Sequence, residues 1–348
     1  MTNITAAILT ETKKPLQILD DLKIPELRSG QVLVKIHYAG LCHSQLMEAK
    51  GFRGEDHFLP HLLGHEAVGT VIKIGNKVKK VQAGDKVVLG WIKGQGLDEG
   101  GTIYESATLG NINSGPVTTF SNYSVVSENR VYKKPPFTGF KECILYGCAL
   151  PTGAGIILND INPKKNSDLV ILGLGGVGLS ALMAAKYKTP RSLIAIDVEE
   201  TKLLLAKKLG ATHVFSVNEP NLKKKIAKIC FKEGADYVVE AAGKTSTIEL
   251  GFSLLAPSSG ELVFASHPQK GQKISIDPFE LILGKKIRGS WGGSCNPDLD
   301  IPILDNLARD GALSLKELIS REYNLSEINE AFRALEERTI TRALIVMP

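Results

Sequence analysis

The sequence predicts an α/β protein in which a doubly wound parallel sheet is joined to a second, Gly-bent β domain. Three observations carry this. The stretch 168–178, DLVILGLGGVG, runs an apolar strand straight into Gly173, Gly175 and Gly178, spaced as GxGxxG. From about residue 153 strand-like and helix-like runs alternate, which calls for crossover connections and hence a parallel sheet. Ahead of that point the chain consists of short β-type runs punctuated by Gly and Pro. At 348 residues it exceeds the size at which one core keeps growing, so two domains are expected.

Taken in order, TAAILT, QVLVKIHYAG, AVGTVIKIG, DKVVLGW and NYSVVSENRVYKKPP read as strands of the first domain. DLVILG, SLIAIDV, HVFSV, DYVVEAA, ELVFAS and KIRGSW then read as strands. LSALMAAK, EETKLLLAKKLG, LKKKIAKICF and STIELGFSLL read as the helices between them. DIPILDNLARDG and SEINEAFRALEER follow as amphipathic helices, and RALIVM closes the chain as a strand. The predicted division is residues 1–152 with 292–348 for the first domain and 153–291 for the second.

The glycine turn has a chemical reading. Gly173, Gly175, Gly176, Val177 and Gly178 form a loop whose backbone turns tightly, approaches a pyrophosphate without a Cβ in the way, and packs the next helix on the strand. The pyrophosphate would rest on that helix's N-terminus. Asp197 ends the following strand nineteen residues beyond Gly178, where an acid suits a ribose 2′-hydroxyl and repels a 2′-phosphate. The expected cofactor is NAD(H).

Composition excludes several classes. The 43% hydrophobic and 23% charged content is that of an ordinary globular protein. A net charge of +5 is spread along the chain, and KKK at 223–225 sits in a helical period, so neither nucleic acid nor a membrane surface is an expected partner. No apolar run reaches the roughly 18–20 residues of a membrane span, and the N-terminus lacks a signal-peptide layout, so a cytoplasmic location is expected. Five cysteines, an odd number, argue against a disulfide framework. Some of them are candidate thiolate ligands.

Cys42 and His43 follow a strand and an AGL bend, His65 and Glu66 lie in LLGHEAVG, and Cys148 lies in YGCALPTGAG. Two thiols and an imidazole are a donor set that zinc favours, and three protein ligands with an open fourth position are the catalytic arrangement. Spacing alone leaves the question open, since a buried Cys is often an inert small hydrophobe.

These motifs resemble those of the zinc-dependent medium-chain alcohol dehydrogenases. The resemblance runs from about Thr5 to Val346, through AGLCHSQ, GHEAVGTV, GDKVVLGW, GCALPTGAG and GLGGVGLSALMAAK to the closing RALIV. It implies a Rossmann domain and a GroES-like catalytic domain, with the reaction in the cleft between them. It implies a catalytic zinc on Cys42, His65 and Cys148, with Glu66 behind the metal. Cys148, at a position typically Glu in polyol dehydrogenases, points to the alcohol dehydrogenase branch. The implied reaction is reversible hydride transfer between NAD and an alcohol polarised by zinc, with Ser44 bonding the reacting oxygen and passing its proton outward. Lys202 matches a lysine near the adenosine ribose, and His43 and Arg342 match positions at the pyrophosphate. The family also implies a homodimer or homotetramer.

The chain departs from the family pattern in three places. Gln45 replaces the usual Asp, and Met47 replaces a His often found in the relay, which leaves His43 or water to finish the proton transfer. Residues 92–122 contain no cysteine, so one zinc per chain and no structural zinc are expected. That Gly/Ser/Thr-rich loop is expected to be held by turns or by a neighbouring subunit. Trp91 matches an aromatic of the alcohol site, and with Phe52, Phe58 and Trp291 it suggests a primary, including aromatic, alcohol or its aldehyde. The rival readings are a polyol or sugar-alcohol dehydrogenase, a metal-independent reductase of the quinone oxidoreductase type, and an inactive NAD-binding scaffold.

Overall fold

The computed structural model describes residues 4–348. The chain divides into two compact units. The first comprises the chain up to Cys148 with Asn296–Asn306 and Leu315–Pro348, and the second comprises Ala149–Cys295 with Leu307–Ser314. These bounds differ from the sequence-based ones at three points. The break falls directly after Cys148, the second unit continues through Cys295, and residues 307–314 belong to it, where the Ser314 N–H reaches Met183 Sδ at 3.2 Å.

The first unit holds two sheets. A closed barrel runs β1 (Ile4–Leu9), β2 (Gln17–Lys23), β7 (Ile103–Ser106), β8 (Gly110–Asn113) and β4 (His61–Leu62). Ile4, Ile8, Leu22, Tyr104 and Ile112 fill its interior. The β7–β8 hairpin lies inside the stretch expected to be an irregular loop. Strands IYES and GNIN each turn few apolar residues inward, so neither shows a clear alternating pattern in sequence.

The other sheet has the path β10 (Val131–Lys133), β6 (Lys86–Leu89), β5 (Ala67–Ile74), β3 (Gln31–Leu41), β18 (Ala343–Val346) and β17 (Arg321–Asn324), with β9 (Tyr123–Ser127) also on β3. Its strands are β-branched-rich and their inner faces share one core with Phe120, Ile328 and Phe332. Two registers position the site: β5 meets β3 at Ala67↔Ala39, and β18 meets β3 at Ala343↔Leu41.

The front of the 92–122 stretch is fastened by carboxylates. Glu128 accepts from the backbone N–H groups of Lys79 (2.6 Å), Lys80 (2.8 Å) and Leu97 (2.8 Å). Glu99 accepts from Gly30 N–H at 2.8 Å.

The second unit is a six-stranded parallel sheet in the order β13 (His213–Ser216), β12 (Ser192–Asp197), β11 (Asp168–Leu172), β14 (Tyr237–Glu240), β15 (Glu261–Phe264) and β16 (Lys286–Gly289). All neighbours run parallel. The order reverses beside β11, and the glycine turn leaves that strand's C-terminal end, where ligands bind in such sheets.

Nine α-helices occur among the described residues: α1 (His43–Ala49), α2 (Ala149–Gly155), α3 (Gly176–Tyr187), α4 (Glu200–Leu209), α5 (Leu222–Ile229), α6 (Thr245–Ser253), α7 (Pro278–Ile282), α8 (Pro297–Arg309) and α9 (Ile328–Glu336). The sequence reading did not place α7. It is short, starts on Asp277, whose side chain accepts from Phe279 N–H at 2.9 Å, and carries Pro at its first position.

Candidate metal centre and cofactor turn

The metal centre is assembled by register. Leu41 ends β3, so Cys42 emerges beside the end of β18 and opposite Arg342. The Ala67↔Ala39 pairing brings Glu66 alongside, and Gly40 N–H donates to the Glu66 carbonyl at 3.0 Å. Residue 40 has to be glycine, because a Cβ there would lie 2.6 Å from the Glu66 carboxylate. His65 follows Gly64, whose φ of +88° and contact with Thr119 Oγ1 also demand glycine. Cys148 stands between a helical turn at Glu142–Gly147 and α2.

A ligand atom from each of Cys42, His65, Glu66 and Cys148 lies within 4.8 Å of all the others. The two sulfurs are 3.9 Å apart. A thiol proton joins them: the Cys148 bond and the neighbouring His65 and Arg342 push Cys42 below an ordinary thiol, and the Cys42 bond and burial push Cys148 above. A divalent ion that removes that proton would bind both as thiolates.

The rest of the donor set fits a metal as well. His65 Nε2 is buried without a hydrogen-bond partner, and so are Glu66 Oε2 and Ser44 Oγ. Gln45, 2% exposed, contacts His65 Nδ1 with its side-chain amide while its Oε1 accepts from Cys42 N–H at 3.2 Å. As placed, the amide nitrogen donates to Nδ1, the reverse of what the usual carboxylate would do; a metal on Nε2 needs Nδ1 to carry the ring hydrogen and hence the amide turned so that its oxygen accepts.

Glu66 is completely buried, and burial pushes its carboxyl up to about 7 against the pull of Arg342. Arg342, 3% exposed, donates from Nη2 to Glu66 Oε1 at 2.5 Å. Burial alone would lower the guanidinium, but the charges of Glu66, Cys42 and Cys148 raise it above its ordinary value. The sequence reading gave Arg342 to the pyrophosphate. Here its Nη2 is committed to the carboxylate behind the metal centre, a partner 276 residues away that no local pattern could reveal.

In the second unit, Gly173 has φ +90°, and a Cβ on it would lie 2.6 Å from Ala242 N. Gly175 caps α3, and Gly176, Val177 and Gly178 form its first turn. Asp197 is tied to this turn. Its Oδ2 accepts from Leu174 N–H at 2.6 Å, and Oδ1 accepts from Val198 (2.8 Å) and Glu199 (3.0 Å) N–H groups. Glu240, missed by the sequence reading although it is an acid in an otherwise apolar strand, is wholly buried and accepts from Ala242 and Gly243 N–H, each at 2.9 Å. It thereby shapes the loop that faces Gly173. Lys202 is partly buried on the first turn of α4, and His43 is the exposed first residue of α1.

The expected pocket aromatics are dispersed. Trp91 is half-buried and its backbone N–H donates to the Gly147 carbonyl at 3.3 Å, directly before Cys148. Phe52 and Phe58 lie on the bent segment after α1 at 37% and 69% exposure, and Trp291, in the second unit, is 82% exposed.

Residues 28–136 match the family model of the alcohol dehydrogenase GroES-like domain, and residues 176–309 match that of the zinc-binding dehydrogenases. Together the two matches span well over half of the chain, the first inside the first unit and the second mostly in the second unit. The chain belongs to the zinc-dependent medium-chain alcohol dehydrogenases. It is 29% identical to the alcohol dehydrogenase class-3 of Zea mays, over 98% of this chain and 96% of that protein. Among solved structures, a Burkholderia ambifaria alcohol dehydrogenase zinc-binding domain protein superposes with a TM-score of 0.90 at 28% identity, covering 99% of each chain. The benzyl alcohol dehydrogenase of Acinetobacter calcoaceticus superposes with a TM-score of 0.88 at 28% identity over the full length of both. The chain is thus an oxidoreductase of the alcohol dehydrogenase type with a small-molecule substrate. Among the described residues, no helix is long and apolar enough to cross a membrane.

Proposed function

We propose that this chain is a zinc- and NAD-dependent dehydrogenase of primary alcohols, aromatic ones included, working reversibly with the aldehydes. The observation that carries the reading is the meeting of Cys42, His65, Glu66 and Cys148 within 4.8 Å around an unpartnered imidazole nitrogen. Cys42, His65 and Cys148 would hold one zinc, with Glu66 behind it. When bound, zinc supplies a Lewis acid that favours the deprotonated form of an alcohol at neutral pH.

The chain's own residues supply the remaining parts. Ser44 Oγ, buried without a partner, is free to accept the reacting hydroxyl's proton while donating its own. Met47, 9% exposed on the same helix, carries no proton, so the onward acceptor is His43 or water. Gln45 fixes the ring of His65, and Arg342 neutralises Glu66. The Gly173–Gly178 turn cradles the pyrophosphate on the start of α3. Asp197 with Lys202 receives the adenosine ribose and keeps out a 2′-phosphate.

Two features support an aromatic substrate. Trp91 is fixed to the residue before Cys148, and the chain is similar over its whole length to a benzyl alcohol dehydrogenase. Phe52 and Phe58 are candidate outer walls.

The test pairs zinc analysis, after dialysis against zinc-free buffer, with NAD⁺ reduction by benzyl alcohol, aliphatic primary alcohols and sorbitol, on wild type and Cys148→Ala. One retained zinc, lost from the variant together with benzyl alcohol oxidation, is the expected result. A zinc-free active enzyme, or faster turnover of sorbitol than of benzyl alcohol, would overturn the reading.

A further inference from the structure

A second group of ligating side chains lies between Cys42 and His65 in the chain. Glu48 is on the last turn of α1, Asp56 is in the following loop, and His61 is on β4, and a ligand atom of each lies within 4.8 Å of the other two. The His61 side chain is 7% exposed and that of Asp56 is 12% exposed. We propose that Glu48, Asp56 and His61 form a second cation site, separate from the cysteine centre, that takes one zinc-type divalent ion in exchange for a proton.

The tautomer of His61 carries the argument. Its Nδ1 lies 2.9 Å from the Leu62 carbonyl, which can only accept, so Nδ1 holds a hydrogen. In a neutral ring Nε2 is then a bare lone pair. That lone pair faces Asp56 Oδ2 at 2.8 Å, and two lone pairs repel at this distance. A positive species must therefore join them, either a second ring proton or a metal ion.

Asp56 is set up to be an anion. Burial raises its carboxyl, but His61 and the Phe58 N–H, which donates to Oδ1 at 3.0 Å, outweigh this and hold it below its ordinary value. Even with His61 doubly protonated, two carboxylates face one imidazolium and the cluster keeps a net negative charge. The neighbouring cations do not fill the site. Arg53 bonds Glu48 at 3.3 Å with a side chain 41% exposed, so it can withdraw into water, and the His57 side chain is 73% exposed beside Glu55.

The donor chemistry selects the ion. An imidazole nitrogen with two carboxylates suits zinc and its neighbours, whereas magnesium and calcium prefer oxygen alone. Bonds of about 2.0–2.2 Å set tetrahedral ligand separations of roughly 3.5 Å, inside the 4.8 Å within which the three atoms lie. Binding would join α1, which starts immediately after Cys42, to β4, four residues ahead of His65, and would hold between them the loop carrying Phe52 and Phe58. The Nε2 proton leaves to solvent, and the ring nitrogen and two carboxylate oxygens take its place on the metal.

The test uses the full chain with its cysteine centre loaded, equilibrated against buffered Zn²⁺ and analysed for metal, beside Asp56→Asn and Glu48→Gln. The wild type is expected to take up a second equivalent with release of a proton, seen as a buffer-dependent heat, while both variants stop at one. Co²⁺ as a second probe distinguishes the centres, since the first equivalent gives thiolate-to-cobalt charge-transfer absorption and the second adds none. In Cys148→Ala the second site still fills, so failure at the cysteine centre is separable from failure here. The Glu48 side chain is 28% exposed, so Glu48→Gln is expected to fold and the comparison stands even if Asp56→Asn fails to. A wild type that stops at one equivalent under saturating Zn²⁺, or a second equivalent retained in both variants, would overturn the proposal.

Discussion

Arg342 and Glu66 form a buried ion pair, Nη2 to Oε1 at 2.5 Å, directly behind the sulfur and imidazole ligands. The charge of Arg342 allows a carboxylate to stay at the centre of the unit, since an unpaired one would be strongly penalised there. Replacing Arg342 with Ala should therefore destabilise the first unit by about 3–5 kcal/mol, because Glu66 is left without its counter-charge. Urea denaturation followed by tryptophan fluorescence measures this. A loss below about 1 kcal/mol would show that the pair contributes nothing beyond what solvent could supply.

Gln45 stands where the family usually has Asp, and its amide touches His65 Nδ1. For His65 Nε2 to present a lone pair to a metal, Nδ1 must carry the proton and needs an acceptor. The amide nitrogen that faces Nδ1 can only donate, and the amide oxygen is taken by the Cys42 N–H, so Gln45 accepts from Nδ1 only by turning over and giving up that bond. Gln45→Glu, which keeps the reach to both His65 and the Cys42 N–H, should tighten zinc by about 10-fold or more. Chelator competition reads the affinity directly, and equal or weaker binding by the variant would show that the amide already does all a carboxylate can.

Ser44 Oγ, two residues after Cys42, is buried without a partner. If it relays the proton, Ser44→Ala should slow single-turnover oxidation of benzyl alcohol by on the order of 100-fold while leaving zinc content and NAD⁺ binding unchanged. Unchanged single-turnover rates would assign the transfer to water.

What the sequence made legible follows the range of the physics involved. The Gly173–Gly178 turn was readable because its main requirement is local: Gly173 needs φ +90°, which glycine adopts without strain. The alternating strands and helices from β11 onward were readable by period for the same reason. Cys42, His65 and Cys148 were visible as residue types, but their meeting depends on the registers Ala67↔Ala39 and Ala343↔Leu41, and these are set by the whole sheet. The partner of Arg342 was invisible on those grounds. The β7–β8 hairpin was hidden because Tyr104 and Ile112 enter the barrel core from strands too short and polar to show alternation.

Glu128 yields a prediction about the stretch in which family members often carry zinc-binding cysteines. Its carboxylate takes three backbone N–H groups, from Lys79, Lys80 and Leu97, and so binds residues 79–80 and the 92–102 segment to the end of β9. Burial raises its carboxyl, but those three donors and the charge of Lys80 more than offset this and leave it below its ordinary value. A carboxyl lowered in the folded state contributes stability that is fully present above its unfolded value, about 4.3, and is lost as pH falls through the folded one. Glu128→Gln places an amide N–H against a backbone N–H and should cost about 1–3 kcal/mol at pH 7. The difference between variant and wild type should hold constant down to about pH 5 and then shrink as acid protonates Glu128 in the wild type. Hydrogen exchange at Leu97 and its neighbours should speed up in the variant at neutral pH, with retained zinc unchanged. A drop in zinc content instead would mean that a metal, not this carboxylate, holds the segment.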